Sequence, residues 1–361
     1  MTPPTPEPPV IFPYDFYHFW AAGRVTLEGG NPYDNPSVYA QMLNAGWPLS
    51  EGFHGFLHPP WTMWLFVPLG SLSIDAAVTV WTILSLLIAG LGFFLVKNWI
   101  SSRCESPSHL PLFALAFAYA TFPPLMSTVW LGQTNILILL GILLFAYLAD
   151  RQKDFLGGAA LSLVLIKPQL FIAFFFALLL FLIRNRRAWI LIGLALGFFA
   201  QVLISLILAP GASAQFLAGA QSMASGSVVL PGASLAQTLH LFIPQLWIFP
   251  FVGVCGIGSA LWLSYRTKED WMRHLLFVSL PLSLLTAPYV WSHAFLPLLL
   301  PYLALISNRL QTHEASTIRV HGLFSMFGVC EAIRPFHLAP LMGLLPVSIL
   351  GIELRKKGAQ R

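Results

Sequence analysis

Long apolar runs separated by short basic clusters restrict the fold of this 361-residue chain more than any other feature. Several of these runs approach or exceed the roughly 20 residues that an α-helix needs to cross the hydrocarbon core of a bilayer. Only 9% of the residues are charged, whereas a typical soluble domain carries about 25%. The chain is therefore predicted to be an all-α, polytopic integral membrane protein.

The apolar runs and the basic clusters together predict a topology. The runs that read most clearly as spans cover roughly 74–96, 109–128, 135–149, 188–209, 243–264, 274–291, 293–307, 318–333 and 338–353. The clusters are Lys97/Arg103, Arg151/Lys153, Arg184/Arg186/Arg187, Arg266/Lys268/Arg273, Arg309 and Arg355/Lys356/Lys357. Because Lys and Arg are enriched in cytoplasmic loops, we expect all of these clusters on one side of the membrane.

The run 155–183 tests this topology, since basic residues lie at both of its ends. A single helix of this length would extend about 42 Å and place the two ends on opposite sides. Pro168 disfavours helix at the preceding residue and interrupts the helical hydrogen bonds. We therefore favour a hairpin broken at Lys167-Pro168, which raises the expected number of spans to about eleven.

The same topology divides the chain into three parts. Residues 1–73 are expected to form an extracytoplasmic loop with juxtamembrane helices, one of them over the apolar but short stretch 58–69. Residues 74–353 are expected to form the transmembrane helical domain, and 354–361 a basic cytoplasmic tail. A helix running from inside to outside should precede Asp15, so we expect a missing first helix; the alternative is that the first segment translocates with the next helix.

Ionisable groups in or near a membrane are costly and therefore candidates for function. Asp15 begins a predicted helix in an aromatic stretch, where it is either an N-cap or a general base at the membrane surface. Lys167 at the hairpin break is either a lysine that reaches water along its own stem or a cation that meets a phosphate. A mechanism that uses both residues requires them on the same, non-cytosolic face.

Two outer turns carry further polar candidates. In the turn Gly132 to Asn135, Thr134 or Asn135 fits a helix cap, whereas Gln133 is not needed for a cap and suits a polar contact with a ligand. His293, in the second turn, is either structural or a hydrogen-bonding or proton-accepting residue. The scattered cysteines, Cys104, Cys255 and Cys330, are expected to be packing residues.

Five sequence blocks follow one another between residues 12 and 305. They are Asp15-Phe16 through Ala21-Ala22-Gly23-Arg24 to Gly30-Asn31-Pro32-Tyr33-Asp34; His58-Pro59-Pro60 through Phe66-Val67-Pro68-Leu69; Gly132-Gln133-Thr134-Asn135; Lys167-Pro168-Gln169; and Thr286-Ala287-Pro288-Tyr289 to His293. Each block is a weak signal alone. In this order and spacing the set resembles glycosyltransferase family 87, the polyprenol-phosphate-sugar-dependent, α-mannosyltransferase-like membrane proteins of the GT-C superfamily.

This resemblance implies a GT-C-like helical bundle with a catalytic acidic residue on a large outer loop. It implies that Asp15 is the base and that Lys167 neutralises the departing lipid phosphate. Gln133 and Asn135 match a polar turn facing the site. The other residues of the blocks that become substrate-binding candidates are Arg24, His58, Tyr289 and His293. Family members usually have Tyr at the position of His58, and they vary at the turn of His293.

The resemblance predicts transfer of a hexose, expected to be mannose-like, from a polyprenyl-phosphate donor to an extracytoplasmic lipid or glycan acceptor, with inversion. The implied partners are this donor, this acceptor and membrane lipids; no nucleic acid is expected, because the basic residues lie in short clusters between spans. No cofactor or metal is expected, since the sugar is already activated and neither a nucleotide-binding loop nor a metal-ligand pattern occurs. The expected location is the bacterial plasma membrane, with the site on the outer side.

Two other classes of function stay open at this point. A lipid or small-molecule transporter would have inverted repeats with broken helices, whereas the sequence has one broken hairpin without a partner repeat. A noncatalytic, truncated family member serving as a scaffold would not depend on Asp15, Lys167 or Gln133.

Overall fold

A computed structural model describes residues 13, 15–48, 55–102, 112–218, 232–267, 270–311 and 343–359. Every regular element in these ranges is helical, which confirms the all-α prediction. The chain divides into two compact units. Unit 1 comprises Met1–Leu86, Val129–Gln133 and Ala200–Met223, and unit 2 comprises Leu87–Thr128, Thr134–Phe199 and Ala224–Arg361.

The helices follow the apolar runs of the sequence. They are α1 Phe16–Leu27, α2 Asn35–Asn44, α3 Met63–Gly70, α4 Ile74–Ser101, α5 Leu112–Ala120, α6 Pro123–Leu131, α7 Asn135–Ala149, α8 Asp154–Leu161, α9 Ile172–Asn185, α10 Ala188–Leu208, α11 Leu235–His240, α12 Ile248–Arg266, α13 Trp271–His274, α14 Leu280–Thr286, α15 Leu299–Gln311 and α16 Leu344–Ala359. A π-helical turn, Leu275–Ser279, joins α13 to α14. Short 3₁₀ helices cover Pro60–Thr62, Ser162–Ile166, Pro168–Leu170 and Ser292–Leu298.

Three helices in the described ranges, α4, α10 and α12, are long and apolar enough to cross a membrane. A fourth candidate is the pair α5 and α6, which passes only as one span bent by 47°. The remaining apolar helices are shorter, so the expected count of about eleven is not confirmed. The predicted span 318–333 lies outside the described residues, and the predicted span 338–353 begins outside them.

Three predicted features differ from the structure. The span predicted over 109–128 is divided, because the missing N–H groups of Pro123 and Pro124 interrupt the first helix and start a second, so that the pair passes as a span only with its 47° bend. The segment 210–242, which lies between the predicted spans 188–209 and 243–264, contains the helix α11. Cys255 is exposed on α12 rather than packed inside, because the rest of the described chain leaves that face of the helix uncovered.

The hairpin predicted over 155–183 is confirmed. The helix breaks at Lys167, whose backbone angles are φ −134° and ψ 67°, and resumes as α9. At the two ends of the run, Arg187 Nε donates to Asp154 Oδ2 at 2.9 Å, and Arg187 Nη2 donates to the Ala149 carbonyl at 2.7 Å. A continuous helix would hold these ends about 50 Å apart, so the chain turns back at the break.

The basic clusters of unit 2 meet at one end of that unit. Arg184 Nη1 donates to the carbonyl oxygens of Ser264 and Tyr265, at 3.1 and 2.8 Å. The Arg187 guanidinium lies 5.1 Å from the ring centroid of Trp271. Three of the predicted clusters therefore share one end, as the charge pattern predicted, and the helix α9 separates this end from Lys167.

Close helix contacts in both units depend on glycine. In unit 1, a Cβ on Gly23 of α1 would lie 2.0 Å from the Phe66 carbonyl oxygen of α3. In unit 2, a Cβ on Gly158 of α8 would lie 2.0 Å from the Ile190 carbonyl oxygen of α10. Real Cβ atoms do not approach so closely, so only glycine permits these two crossings.

Candidate active site

Asp15 stands at the N-cap position of α1, but its side chain makes no capping hydrogen bond. Instead its Oδ2 accepts a hydrogen bond from Gln133 Nε2 at 2.5 Å. The Asp15 backbone N–H donates to the Leu131 carbonyl at 2.9 Å. Side chain and backbone are therefore both fixed to the same turn, more than a hundred residues away in sequence, and the N-cap alternative does not account for the carboxylate.

The turn that receives Asp15 is built around Gly132, whose φ of +70° is a left-handed conformation that glycine adopts without strain. A Cβ at this position would also lie 2.7 Å from Phe16 Cβ and 2.8 Å from Pro13 Cβ. Trp81 Nε1 donates to the Gly132 carbonyl at 2.8 Å, and the indole stacks on Phe16 with ring centroids 5.7 Å apart. Trp81 has no signal in the sequence beyond its place on an apolar helix.

An aromatic group follows Asp15 on α1. The rings of Tyr17 and His18 lie 5.5 and 5.4 Å from the ring of Trp47, which is buried. Burial raises the pKa of the Tyr17 hydroxyl, and the nearby Asp75 carboxylate raises it further. Tyr17 is therefore neutral at physiological pH and keeps its O–H available as a donor.

The structure places Arg24 at the other end of α1. It follows Asp15 by nine positions, which corresponds to about 14 Å along the helix axis. Arg24 Nε pairs with Glu28 Oε1 at 3.1 Å, and both side chains are about half exposed. The two residues predicted from the first sequence block are therefore not brought together by the helix that carries them.

His58 lies inside an aromatic cluster of unit 1. Its ring centroid is 4.6 Å from that of Phe19, 5.6 Å from Phe56 and 5.2 Å from Phe66, and only 7% of the residue is exposed. The His58 carbonyl accepts a hydrogen bond from the Tyr33 hydroxyl at 3.1 Å. The imidazole thus occupies a packed, largely apolar environment.

In unit 2, the break at Lys167 adjoins the turn that carries Tyr289. Gln169, two residues after Lys167, donates from Nε2 to the Tyr289 hydroxyl at 2.8 Å. Ser283 Oγ donates to the Leu170 carbonyl at 3.0 Å. Burial raises the pKa of Tyr289, and the hydrogen bond from Gln169 opposes this only in part. Two predicted residues, Lys167 and Tyr289, are therefore joined through Gln169.

Asn135 and His293 are both buried in unit 2. Asn135 begins α7 and is 1% exposed, and within the described part of the chain neither its amide oxygen nor its amide nitrogen has a hydrogen-bond partner. Thr134 takes the N-cap position without a capping bond from its side chain. His293 lies in the first turn of Ser292–Leu298, and its carbonyl accepts from Thr128 Oγ1 at 3.4 Å. Of the two predicted caps, the structure therefore has Thr134 at the N-cap position, without a side-chain capping bond.

The sequence model of glycosyltransferase family 87 matches residues 56–288. Of the candidate residues, the match covers His58, Gln133, Asn135 and Lys167. No curated protein and no solved structure matches the chain. Within the described ranges, no group of three His, Cys, Asp or Glu residues is arranged to hold a metal ion. Because the matched region exceeds half of the chain, this helical membrane protein belongs to glycosyltransferase family 87.

Proposed function

We propose that this glycosyltransferase moves a hexose, mannose-like by the family resemblance, from a polyprenyl-phosphate donor to an extracytoplasmic lipid or glycan acceptor. Family membership supports the transfer of a sugar. The observation that carries the mechanism is the hydrogen bond from Gln133 to Asp15. It orients a carboxylate that does not cap its own helix, and an oriented carboxylate is suited to act as a general base.

The reaction is a single displacement at the anomeric carbon. The acceptor hydroxyl oxygen forms the new bond to this carbon while the bond from the carbon to the phosphate oxygen breaks. The hydroxyl proton passes to the Asp15 carboxylate, and polyprenyl phosphate leaves with the electron pair of the broken bond. One displacement inverts the anomeric configuration and needs no second carboxylate as a nucleophile.

Lys167 is assigned to the leaving phosphate. Negative charge grows on the phosphate as the bond to the sugar breaks, and a fixed cation stabilises this charge more in the transition state than in the bound donor. Tyr289 is neutral because burial raises its pKa. Since its oxygen already accepts from Gln169, its own O–H is directed to another acceptor, and we assign that acceptor to the phosphate group.

Asn135 supports the presence of a polar ligand in unit 2. A buried amide left without a hydrogen bond costs about 1–3 kcal/mol, so such groups call for a specific explanation. A sugar hydroxyl supplies both a donor and an acceptor, which is what the amide of Asn135 needs. His293 is assigned to the same sugar, through one of its ring nitrogens.

The membrane supports this choice of donor. The polyprenyl tail remains in the bilayer while the sugar and phosphate meet water at the surface. The basic end of unit 2 carries Arg184 and Arg187 and corresponds to the cytoplasmic side by the distribution of Lys and Arg. Lys167 lies at the opposite end of α9, so the proposed site faces the outside of the bacterial plasma membrane.

The decisive experiment compares Asp15→Asn with Asp34→Asn. Asp34 caps α2 through Ser37, and Asn is an equally good cap, so this variant controls for the loss of one outer carboxylate. Purified proteins in liposomes receive polyprenyl-phosphate mannose with a radiolabelled sugar and a membrane lipid extract as the acceptor pool. We expect Asp15→Asn to lower the rate about 10³-fold and Asp34→Asn to retain it.

Two results would overturn the proposal. Full activity of Asp15→Asn would remove the assigned base. Movement of labelled donor or free sugar across the liposome membrane without any covalent product would favour the transporter instead.

In a cysteine-free background, a membrane-impermeant maleimide should label both Asp15→Cys and Lys167→Cys from the outside of intact cells. Labelling of either residue only from the inside would contradict the orientation.

A further inference from the structure

The turn that carries Tyr289 is held from a second direction by the segment 232–237. The Val290 backbone N–H donates to Gln237 Oε1 at 2.8 Å, and the Ala233 N–H donates to the Val290 carbonyl at 2.8 Å. The backbone N–H and the carbonyl of Val290 are therefore both paired with the same short segment. Val290 is fully buried and Gln237 is 2% exposed, so these bonds are shielded from competition with water.

Local structure fixes Gln237 for this role. Ser234 caps α11 by accepting from the Gln237 backbone N–H at 3.1 Å, while the Gln237 side chain approaches the Ser234 N–H at 3.4 Å. This is a capping box, in which the side chain at the third helical position turns back to the cap. A Cβ on Gly232 would lie within 2.4 Å of three atoms of the Gln237 amide, so glycine leaves the space that the amide fills.

The two hydrogen bonds of Gln237 Oε1 differ in length. The bond from the cap at Ser234 is 3.4 Å long, whereas the bond from Val290 is 2.8 Å long. Bonds near 2.9 Å are typical for an N–H donor and a carbonyl oxygen, and those near 3.5 Å are weak. The side chain thus binds the turn more closely than it binds its own helix, which a residue serving only as a cap would not need to do.

Two hydrogen bonds and two short stretches of chain connect Gln237 to Lys167. Gln237 holds Val290, the preceding residue Tyr289 accepts from Gln169, and Gln169 follows Lys167 by two residues. We propose that Gln237 is a positioning residue, which sets the place of Tyr289 and, through Gln169, of the Lys167 break for the donor phosphate. This inference rests on the proposed function, since it assigns Gln237 to the phosphate part of that site.

The test compares three substitutions. Gln237→Leu removes the acceptor at similar size, Gln237→Glu keeps an oxygen for the Val290 N–H, and Gln245→Leu changes an exposed glutamine a few residues away. Rates are measured with polyprenyl-phosphate mannose and are expressed per folded protein. For Gln237→Leu we expect kcat to fall about tenfold while the donor KM changes less than about threefold. Gln237→Glu should recover most of kcat, and Gln245→Leu should match the wild type.

A double-mutant cycle separates positioning from simple loss of stability. If Gln237 acts through Tyr289, the double variant Gln237→Leu/Tyr289→Phe should lose little more activity than Gln237→Leu alone. Independent, multiplying losses would overturn the inference. So would a Gln237→Leu variant with the kcat of Gln245→Leu, while the proposed function would stand if Asp15→Asn were still inactive.

Hydrogen exchange decides the inference if the wild type transfers no sugar from this donor. The amide of Val290 should exchange faster in Gln237→Leu than in Gln245→Leu, because only the first variant removes its acceptor. Equal exchange in the two variants would show that Gln237 does not hold the turn. Absence of sugar transfer by the wild type would count against the proposed function alone.

Discussion

The carboxylate region of unit 1 and the lysine region of unit 2 are held in different ways. Asp15 is fixed directly, since a side chain from a distant turn donates to its carboxylate. In the Lys167 region, a break in the helix and Gln169, two residues on, fix the neighbouring chain. The hydrogen bond from Gln133 thus orients a functional group, and the bond from Gln169 positions a stretch of backbone that carries one.

This difference follows from what each group has to do in the proposed reaction. A general base must present one oxygen to a hydroxyl within hydrogen-bond reach, so its orientation decides its efficiency. An ammonium group is a compact charge on a flexible stem with three rotatable donors, so its attraction to a phosphate depends mainly on distance. A base therefore needs a directional partner, whereas a cation needs only an anchored backbone.

Among further substitutions that compare the two regions, we expect the largest effect from Lys167→Met, which removes the charge and keeps the stem. Loss of a group that stabilises charge in the transition state typically lowers kcat by about 10²–10³-fold. Because the cation depends on distance more than on orientation, Lys167→Arg should keep a substantial part of the rate. Steady-state kinetics with polyprenyl-phosphate mannose measures both variants.

The matched control for Lys167→Met is Lys153→Met, an exposed lysine at the other end of the hairpin. We expect this control to keep the wild-type kcat, since Lys153 lies at the basic end of unit 2. If Lys167→Met and Lys153→Met had the same kcat, Lys167 would have no role at the phosphate, and its side chain would only extend to water. If Lys167→Arg were as inactive as Lys167→Met, the cation would need a defined orientation after all, and the contrast with Asp15 would fail.

The next effect concerns Gly132→Ala, which tests the direct hold on Asp15. The new Cβ meets Phe16 and Pro13 at 2.7 and 2.8 Å in a left-handed backbone conformation. We expect the turn to move and Gln133 to separate from Asp15, with a loss of about 2–3 kcal/mol in stability and a fall in kcat of about 10–100-fold.

Gly46→Ala provides the control for backbone strain. Gly46 has an equally left-handed φ of +89°, but no described atom lies within 4 Å of its Cβ position. This variant should lose only the roughly 1 kcal/mol typical of alanine in such a conformation and should keep its activity. Thermal unfolding in detergent and the transfer assay together compare the two. Equal effects of both substitutions would mean that the contacts of Gly132 do not matter for Asp15.

The sequence predicted those features of the fold that depend on local chemistry. Pro168 after Lys167 predicted the break of the hairpin, and the run 135–149 coincides with α7. The bend in the span 109–128 also has a local cause, since Pro123 and Pro124 start a second helix there. Apolar runs locate helices in a membrane protein, whereas proline decides where they are interrupted.

Contacts between segments that are distant along the chain could not be predicted from the sequence. Asp15 and Gln133 were both singled out, but nothing in either motif indicates that one donates to the other across 118 residues. Gln237 was overlooked because it lies in a segment rich in Gly, Ala and Ser that resembles a loop. A local signal was present there: Ser234 followed three residues later by Gln237 is the pattern of a capping box. Its second bond, to Val290, appears only in three dimensions.

The smallest effect concerns Tyr289→Phe, which removes one hydroxyl from the lysine region and leaves the ring. We expect kcat to fall about three- to tenfold, as for the loss of one neutral hydrogen bond. Burial raises the pKa of Tyr289 above its ordinary value of 10.0, so the hydroxyl stays protonated throughout the range from about pH 6 to 9. The ratio of wild-type to variant kcat should therefore be constant over this range.

The control for Tyr289→Phe is Tyr265→Phe, which changes an exposed tyrosine at the basic end of unit 2 and should have no effect at any pH. A ratio that falls towards one as the pH rises would show that the phenol ionises, and the neutral Tyr289 would then have to be withdrawn as a donor to the phosphate.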